Sequence, residues 1–151
     1  MRQSAKRAIK LDSPFDRLTA LLCSTFGMPF GLISVLDGNE AMFRSEIGLG
    51  EASLPRDQSV SNVLVAMGPG ASLVIEDALE HPTLCQHPMV AGPPHLRFFA
   101  GATVSTADGC PVGAVGVMDV KPHPALTAEQ IESLKLIARI AGDMVDQAAA
   151  A

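Results

Sequence analysis

At 151 residues the chain is the size of one ordinary domain, and 48% hydrophobic against 18% charged residues excludes a disordered polymer. A formal charge of −5, with six Phe and neither Trp nor Tyr, speaks against nucleic acid, which demands a basic footprint and favours aromatic platforms. Three widely spaced cysteines, in a chain long enough to build its own core, fit a reducing compartment and an expected cytoplasmic location.

Arg2, Lys6, Arg7 and Lys10 make residues 1–12 a basic lead-in. No apolar region follows them, so they do not begin a signal peptide, and no membrane span is expected because no apolar run approaches 18 residues. The lead-in reads as solvated, with a membrane surface or anionic partner as the alternative. A single domain is expected over 13–147, with 148–151 as a tail.

Ser13-Pro14-Phe15-Asp16 has the chemistry of a helix start: a hydroxyl cap, Pro in the first turn and an acid facing the positive end of the dipole. Phe15, Leu18, Leu22 and Phe26 recur at helical spacing with Leu21 beside them, and Gly27 then Pro29 end the helix. Cys23 falls on the apolar face as a small core residue. Phe30–Leu36 and Ala41–Ile47 form a hairpin around Asp37-Gly38-Asn39, and Gly48–Arg56 reads as loop. Ser59–Met67 forms a short helix with Val60, Val63, Leu64 and Met67 on one side and Ser61 and Asn62 on the other. Gly68-Pro69-Gly70 breaks it, and Leu73–Ile75 is a short third strand.

The connection from Asp77 to His95 is long and rich in Pro and His, with His81, His87 and, further on, His123 each preceding a proline. Such residues are driven to extended or turn conformations, so at most one helical turn is expected here. Loops this long inside a compact domain are usually functional. A second hairpin follows, Phe98–Thr106 and Val112–Asp119, turning through Asp108-Gly109. Ala100, Gly101, Ala102, Gly113, Ala114 and Gly116 thin these strands, which implies that a packed helix or a bound ligand approaches the sheet closely. Thr127-Ala128-Glu129-Gln130 is a capping box opening a last helix. Its stripe (Ile131, Leu134, Ile137, Ala138, Ile140, Ala141, Met144, Val145) is wider than one face needs. A broad core contact and self-association both account for the surplus. The class is α+β: an antiparallel sheet with helices gathered to it.

The words Phe15-Asp16-Arg17-Leu18, Leu32 to Asp37, Pro55-Arg56-Asp57-Gln58-Ser59, Leu73 to Ala78, Gly92 to Gly101 and Gly113 to Asp119 resemble the GAF domain, a PAS-related small-molecule sensor module. The resemblance covers about Pro14 to Val145. It is strongest to GAF domains attached to diguanylate cyclases and sensor histidine kinases in bacteria. It implies a five- to six-stranded antiparallel sheet of order 2-1-5-4-3, with the first and last helices packed together on one face and a ligand cleft under the long loop on the other. Where many relatives carry Cys and His after the Pro-Arg-Asp word, this chain has Ser61 and Val63. Covalent bilin attachment is not expected, because Pro94 stands where the attaching Cys often precedes the His, here His95.

Two constellations bear on chemistry. Cys85-Gln86-His87 with His81 and His95 offers thiolate and imidazoles, but one two-residue spacing without a second cluster does not make a metal site. His95 and Arg97, two apart at a strand entry, would share a face and suit a carboxylate or phosphate; alternatively Arg97 pairs with Asp57 or Asp77 and fixes the loop. No nucleophile elbow and no Gly-rich phosphate loop before a helix is present, so no catalytic residues are assigned. The expected function is a non-enzymatic sensory module: a homodimer through its terminal helices, fused or coupled to an output domain. Its ligand of unknown identity is expected to contact Ser59, Ser61, Asn62, His95, Arg97 and Phe98. The alternatives are a redox enzyme resembling the free methionine sulfoxide reductases, using Cys85, and a ligand-free dimerisation scaffold.

Overall fold

The computed structural model describes residues 12–150; the basic residues of the lead-in lie outside them. Ser13 caps helix α1 (Pro14–Phe26), its Oγ accepting the Asp16 N–H at 3.1 Å, and Gly27 closes it in the left-handed region at φ 65°. Strands β1 (Phe30–Asp37) and β2 (Glu40–Ile47) form the first hairpin. A three-residue strand, β3 (Ser53–Pro55), pairs with β2 inside Gly48–Arg56, expected as loop. Helix α2 (Val60–Met67) and strand β4 (Ser72–Ile75) precede the long connection, which holds α3 (Pro88–Ala91). Strands β5 (Phe98–Ser105) and β6 (Pro111–Asp119) form the second hairpin, and α4 (Ala128–Ala150) ends the described chain. The capping box at its start is formed: Thr127 Oγ1 accepts from Gln130 N–H at 3.1 Å and Gln130 Oε1 from Thr127 N–H at 2.8 Å. Ala148 to Ala150, expected as tail, continue this helix.

The six strands are ordered β3-β2-β1-β6-β5-β4, and every pairing is antiparallel. Without β3 this is the expected order; the added edge strand is the correction. Three residues carry too little alternation to signal a strand, and β3 exists because β2 offers it an open edge.

Side chains of the central strands alternate between two cores. On one face Ile33, Phe98, Ala100, Val104, Val115 and Val117 pack against Leu18 and Leu22 of α1 and Leu134, Ile137, Ala138 and Ala141 of α4. On the other, Leu32, Phe99, Ala114 and Met118 meet Leu64 of α2 and Ala78, Val90 and Leu96 of the long connection. The thinned hairpin has a more varied explanation than a helix or a ligand. A Cβ on Gly101 or Gly116, paired across β5 and β6, would press on the ring of Phe99, which lies over both. Among the described strand glycines, Gly31 of β1, under Cys23 and Thr19, is the one that makes room for a helix.

Helix α2 turns the other way from the sequence expectation. Ser61 and Leu64 are buried against the sheet, while Val63 and Met67 are half exposed. Ser61 Oγ hydrogen-bonds Ser34 Oγ of β1, and Thr103 Oγ1 of β5 donates to the Leu64 carbonyl at 3.0 Å. Hydropathy alone puts Ser61 outward; the polar partner waiting for it on the sheet turns it inward at the expense of Val63 and Met67.

Candidate functional site

Between β4 and β5 the chain folds into a lid over the second core. Its two ends are fastened together. Asp77 accepts Arg97 bidentately, Nε to Oδ1 and a terminal guanidinium nitrogen to Oδ2, both at 2.7 Å. Asp77 Oδ1 also accepts the Leu79 N–H at 3.1 Å, and the Ala78 N–H donates to the Arg97 carbonyl at 2.5 Å. The guanidinium hydrogen bond holds the Asp77 carboxyl below its usual range and, reciprocally, raises Arg97.

Inside the lid, where at most one helical turn is expected, three short ones are present: Ala78–Glu80, Leu84–Gln86 and α3. Histidines start two of them. His81 Nδ1 accepts the N–H groups of Thr83 and Leu84 at 3.2 and 3.0 Å. His87 Nδ1 accepts the Met89 N–H at 3.0 Å and so caps α3 ahead of Pro88. With Nδ1 accepting, the ring proton sits on Nε2, which donates to the Gln58 carbonyl at 2.5 Å. His87 therefore latches the lid to the turn that precedes α2.

Beneath the latch lies a cavity of about 60 Å³, walled by Leu32, Phe43, Ile75, Phe99 and Met118 of the sheet, by Val60 and Ser61 of α2 with Ser59 just before it, and by Ala78, Leu84, Met89, Val90 and Leu96 of the lid. His87 and Gln58 stand on its rim. An open groove of about 500 Å³ continues outward past the same two residues, along Val63, His81 and Gln86.

The six residues expected to contact a ligand divide. Ser59, Ser61 and Phe98 border the cavity. Ser59 caps α2, its Oγ accepting the Ser61 N–H at 3.0 Å. Phe98 is 1% exposed, belongs to the helix-side core and meets the His123 ring edge-on at 5.0 Å between centroids. Asn62, His95 and Arg97 are not brought there. Asn62 Oδ1 accepts Arg56 Nε at 2.9 Å on the flank, where Arg56 also reaches the Gly38 carbonyl at 3.3 Å and pins α2 to the first hairpin turn. His95 is exposed with φ 62°, so the extended geometry assumed for residues 95 and 97 does not hold. Arg97 takes the alternative role, paired with Asp77.

Sequence reasoning missed His87, Gln58 and Ser34. A signal for the first existed: a side chain able to accept, directly before Pro, is a helix cap.

None of the three cysteines lines the cavity. Cys23 is buried against Gly31, and that burial pushes its thiol up to about 11. Cys85 Sγ faces the Pro82 carbonyl at 3.8 Å, and Cys110 is exposed in the hairpin turn. Among the described residues no group of three or more His, Cys, Asp or Glu could hold a metal ion, and no helix is long and apolar enough to cross a membrane.

Comparison with known proteins gives this architecture a family. The chain is 34% identical over 129 residues to the cyclic di-GMP phosphodiesterase PA2567 of Pseudomonas aeruginosa; the match spans 85% of this chain and only 22% of that protein. A domain of a putative two-component sensor histidine kinase from Sinorhizobium meliloti superposes with a TM-score of 0.71 at 13% identity, covering 95% of this chain and 96% of that one. The free methionine-R-sulfoxide reductase of Neisseria meningitidis, solved with its substrate, shares the fold at a TM-score of 0.68 and 18% identity, over 95% of this chain and 84% of that one. The GAF domain pattern matches residues 10–143, nearly the whole sequence, and the chain belongs to the GAF domain family.

Proposed function

We propose that the chain is a regulatory, non-enzymatic sensor: it binds a small molecule beneath the lid and passes the event to a fused or partner output domain in the cytoplasm. The observation that carries this reading is the cavity closed by a lid whose base is fixed and whose far end is held by a single histidine latch. Occupation would favour a different lid position only as far as the ligand binds the two states unequally. Strand β5 connects the two sides, since Phe98 and Phe99 both border the cavity while Phe98, Ala100 and Val104 pack towards α4.

The dimer belongs to the same proposal. Most of the wide stripe of α4 is used inside the domain, leaving Leu136, Ile140 and, on neighbouring α1, Leu21 exposed. Exposed apolar side chains on both terminal helices support contact with a second copy. The sulfoxide reductase alternative loses support from the absence of a thiol on the cavity wall; a Cys85→Ser protein that keeps any reductase activity would end it. The scaffold reading keeps one specific observation in its favour: about 60 Å³ is small for a ligand site. Thermal shift against nucleotides, tetrapyrroles, amino acids, keto acids and neutral organics decides between them. Sensing predicts a concentration-dependent rise with at least one class, and no rise with any class leaves the scaffold.

A further inference from the structure

The wall of the cavity constrains what it can hold. Among the described residues, none of those lining it is Asp, Glu, Lys or Arg. Arg97, the cation expected to meet an acidic ligand, is held bidentately by Asp77 at the base of the lid. A phosphate, carboxylate or ammonium group under the lid would lose its water and find no opposite charge, a penalty that excludes it.

The wall is not wholly apolar, and its hydroxyls can be counted. Ser34, Ser59 and Ser61 are 0, 7 and 4% exposed, and the latter two line the cavity. They carry three hydroxyl protons. Ser34 and Ser61 share one hydrogen bond, which uses one proton. Ser59 Oγ accepts from a backbone N–H, which occupies a lone pair and leaves its proton undirected. Among the described residues no acceptor takes the other two. Ser34 does not line the cavity, so the protons left beside it are that of Ser59 and, when Ser34 donates, that of Ser61. A donor without an acceptor, beside a small and mostly apolar space, calls for an oxygen that can accept and carries no charge.

Resting on the reading that this cavity is the sensory site, we infer that it selects a small, neutral, mostly apolar molecule with one acceptor oxygen, such as a ketone, ester or ether, and rejects nucleotides, amino acids and organic acids. The size agrees: about 60 Å³ admits a few heavy atoms, and the flexible Met89 and Met118 side chains can yield to somewhat more.

A matched set of probes tests this on the full chain: cyclopentanone, cyclopentane, cyclopentanecarboxylate, cyclopentylammonium and cyclic GMP, read by the ¹³C-methyl shifts of Met89 and Met118. The ketone should move both methyls and bind about five- to tenfold more tightly than the hydrocarbon, the worth of one hydrogen bond. The two ring ions and the nucleotide should bind at least about a hundredfold more weakly than the ketone. Ser61→Ala should bring the ketone towards the hydrocarbon's affinity and leave the hydrocarbon unchanged; should that protein not fold, the ratio in the native chain still decides. An ion or cyclic GMP binding most tightly, or ketone and hydrocarbon binding equally, overturns the inference and leaves the sensor reading intact. Methyls unmoved by every probe overturn the inference, and the broader thermal-shift screen then decides the sensor reading.

Discussion

The two faces of the one sheet are closed by different means. The face towards α1 and α4 is sealed by long helices whose Leu22, Leu134 and Ala141 are fully buried against Ile33, Val104, Val115 and Val117. The opposite face is covered by short turns and an eight-residue helix held by polar pins: Asp77 to Arg97, His87 to Gln58, Ser61 to Ser34, and Thr103 to the Leu64 carbonyl. Apolar burial in long regular elements is cooperative and opens only with the whole domain. Hydrogen bonds on short segments give little net stability each and can be released locally. A sensor needs both, a body that persists and a cover that lifts.

The contrast is breakable in order of effect. Leu134→Ala should destabilise the entire domain by about 3 kcal/mol in urea unfolding, with all probes moving together. Two glycines separate the faces more pointedly. A Cβ on Gly142 of α4 meets the rigid backbone carbonyl of Ser105, whereas one on Gly116 meets chiefly the Phe99 ring, which can swing. Gly142→Ala should therefore cost about 3 kcal/mol, and Gly116→Ala about 1 kcal/mol with the change confined to the cavity side. Thr103→Val should cost about 1 kcal/mol. Its effect is limited because the Leu64 carbonyl still accepts the Gly68 N–H at 3.2 Å.

The lid pins come last on global stability and first on local opening. His87→Ala removes a cap and the latch, and should ease lid opening by about 1 kcal/mol, read as faster amide exchange at Met89 and Val90 with an unchanged unfolding midpoint. Arg97→Ala should speed exchange across 78–96 and leave α4 protected. Acid sharpens the same point. Asp77 has its pKa lowered in the folded state, so its contribution is complete above the ordinary aspartate value of 3.8 and is lost as pH falls below it, through the lowered folded value. Lid exchange should accelerate in that window in the native chain and show no such step in Arg97→Ala.

Much of the persistent face was legible in the sequence, because its signals are local and redundant. Ser13 before Pro14, the Phe15 to Phe26 spacing, Asp108-Gly109 and the Thr127 capping box each specify an element without reference to the rest. The lid face was legible only in outline. Its turns depend on long-range partners: the orientation of α2 follows from Ser34 and Thr103 on other strands, and the lid is set by Gln58 and Arg97 from outside it. Arg97 illustrates the limit. Its two possible roles were readable, but that Asp77 lies beside it is a property of how β4 and β5 pair.

Native-state hydrogen exchange on the full chain tests the division of the faces most directly. The amides of Leu84, Met89, Val90 and Leu96 should exchange through an opening of lower free energy and weaker denaturant dependence than those of Val104, Val115 and Ile137. Lid amides exchanging at the same free energy and slope as these core amides would mean that the cover never lifts alone, and the account would fail.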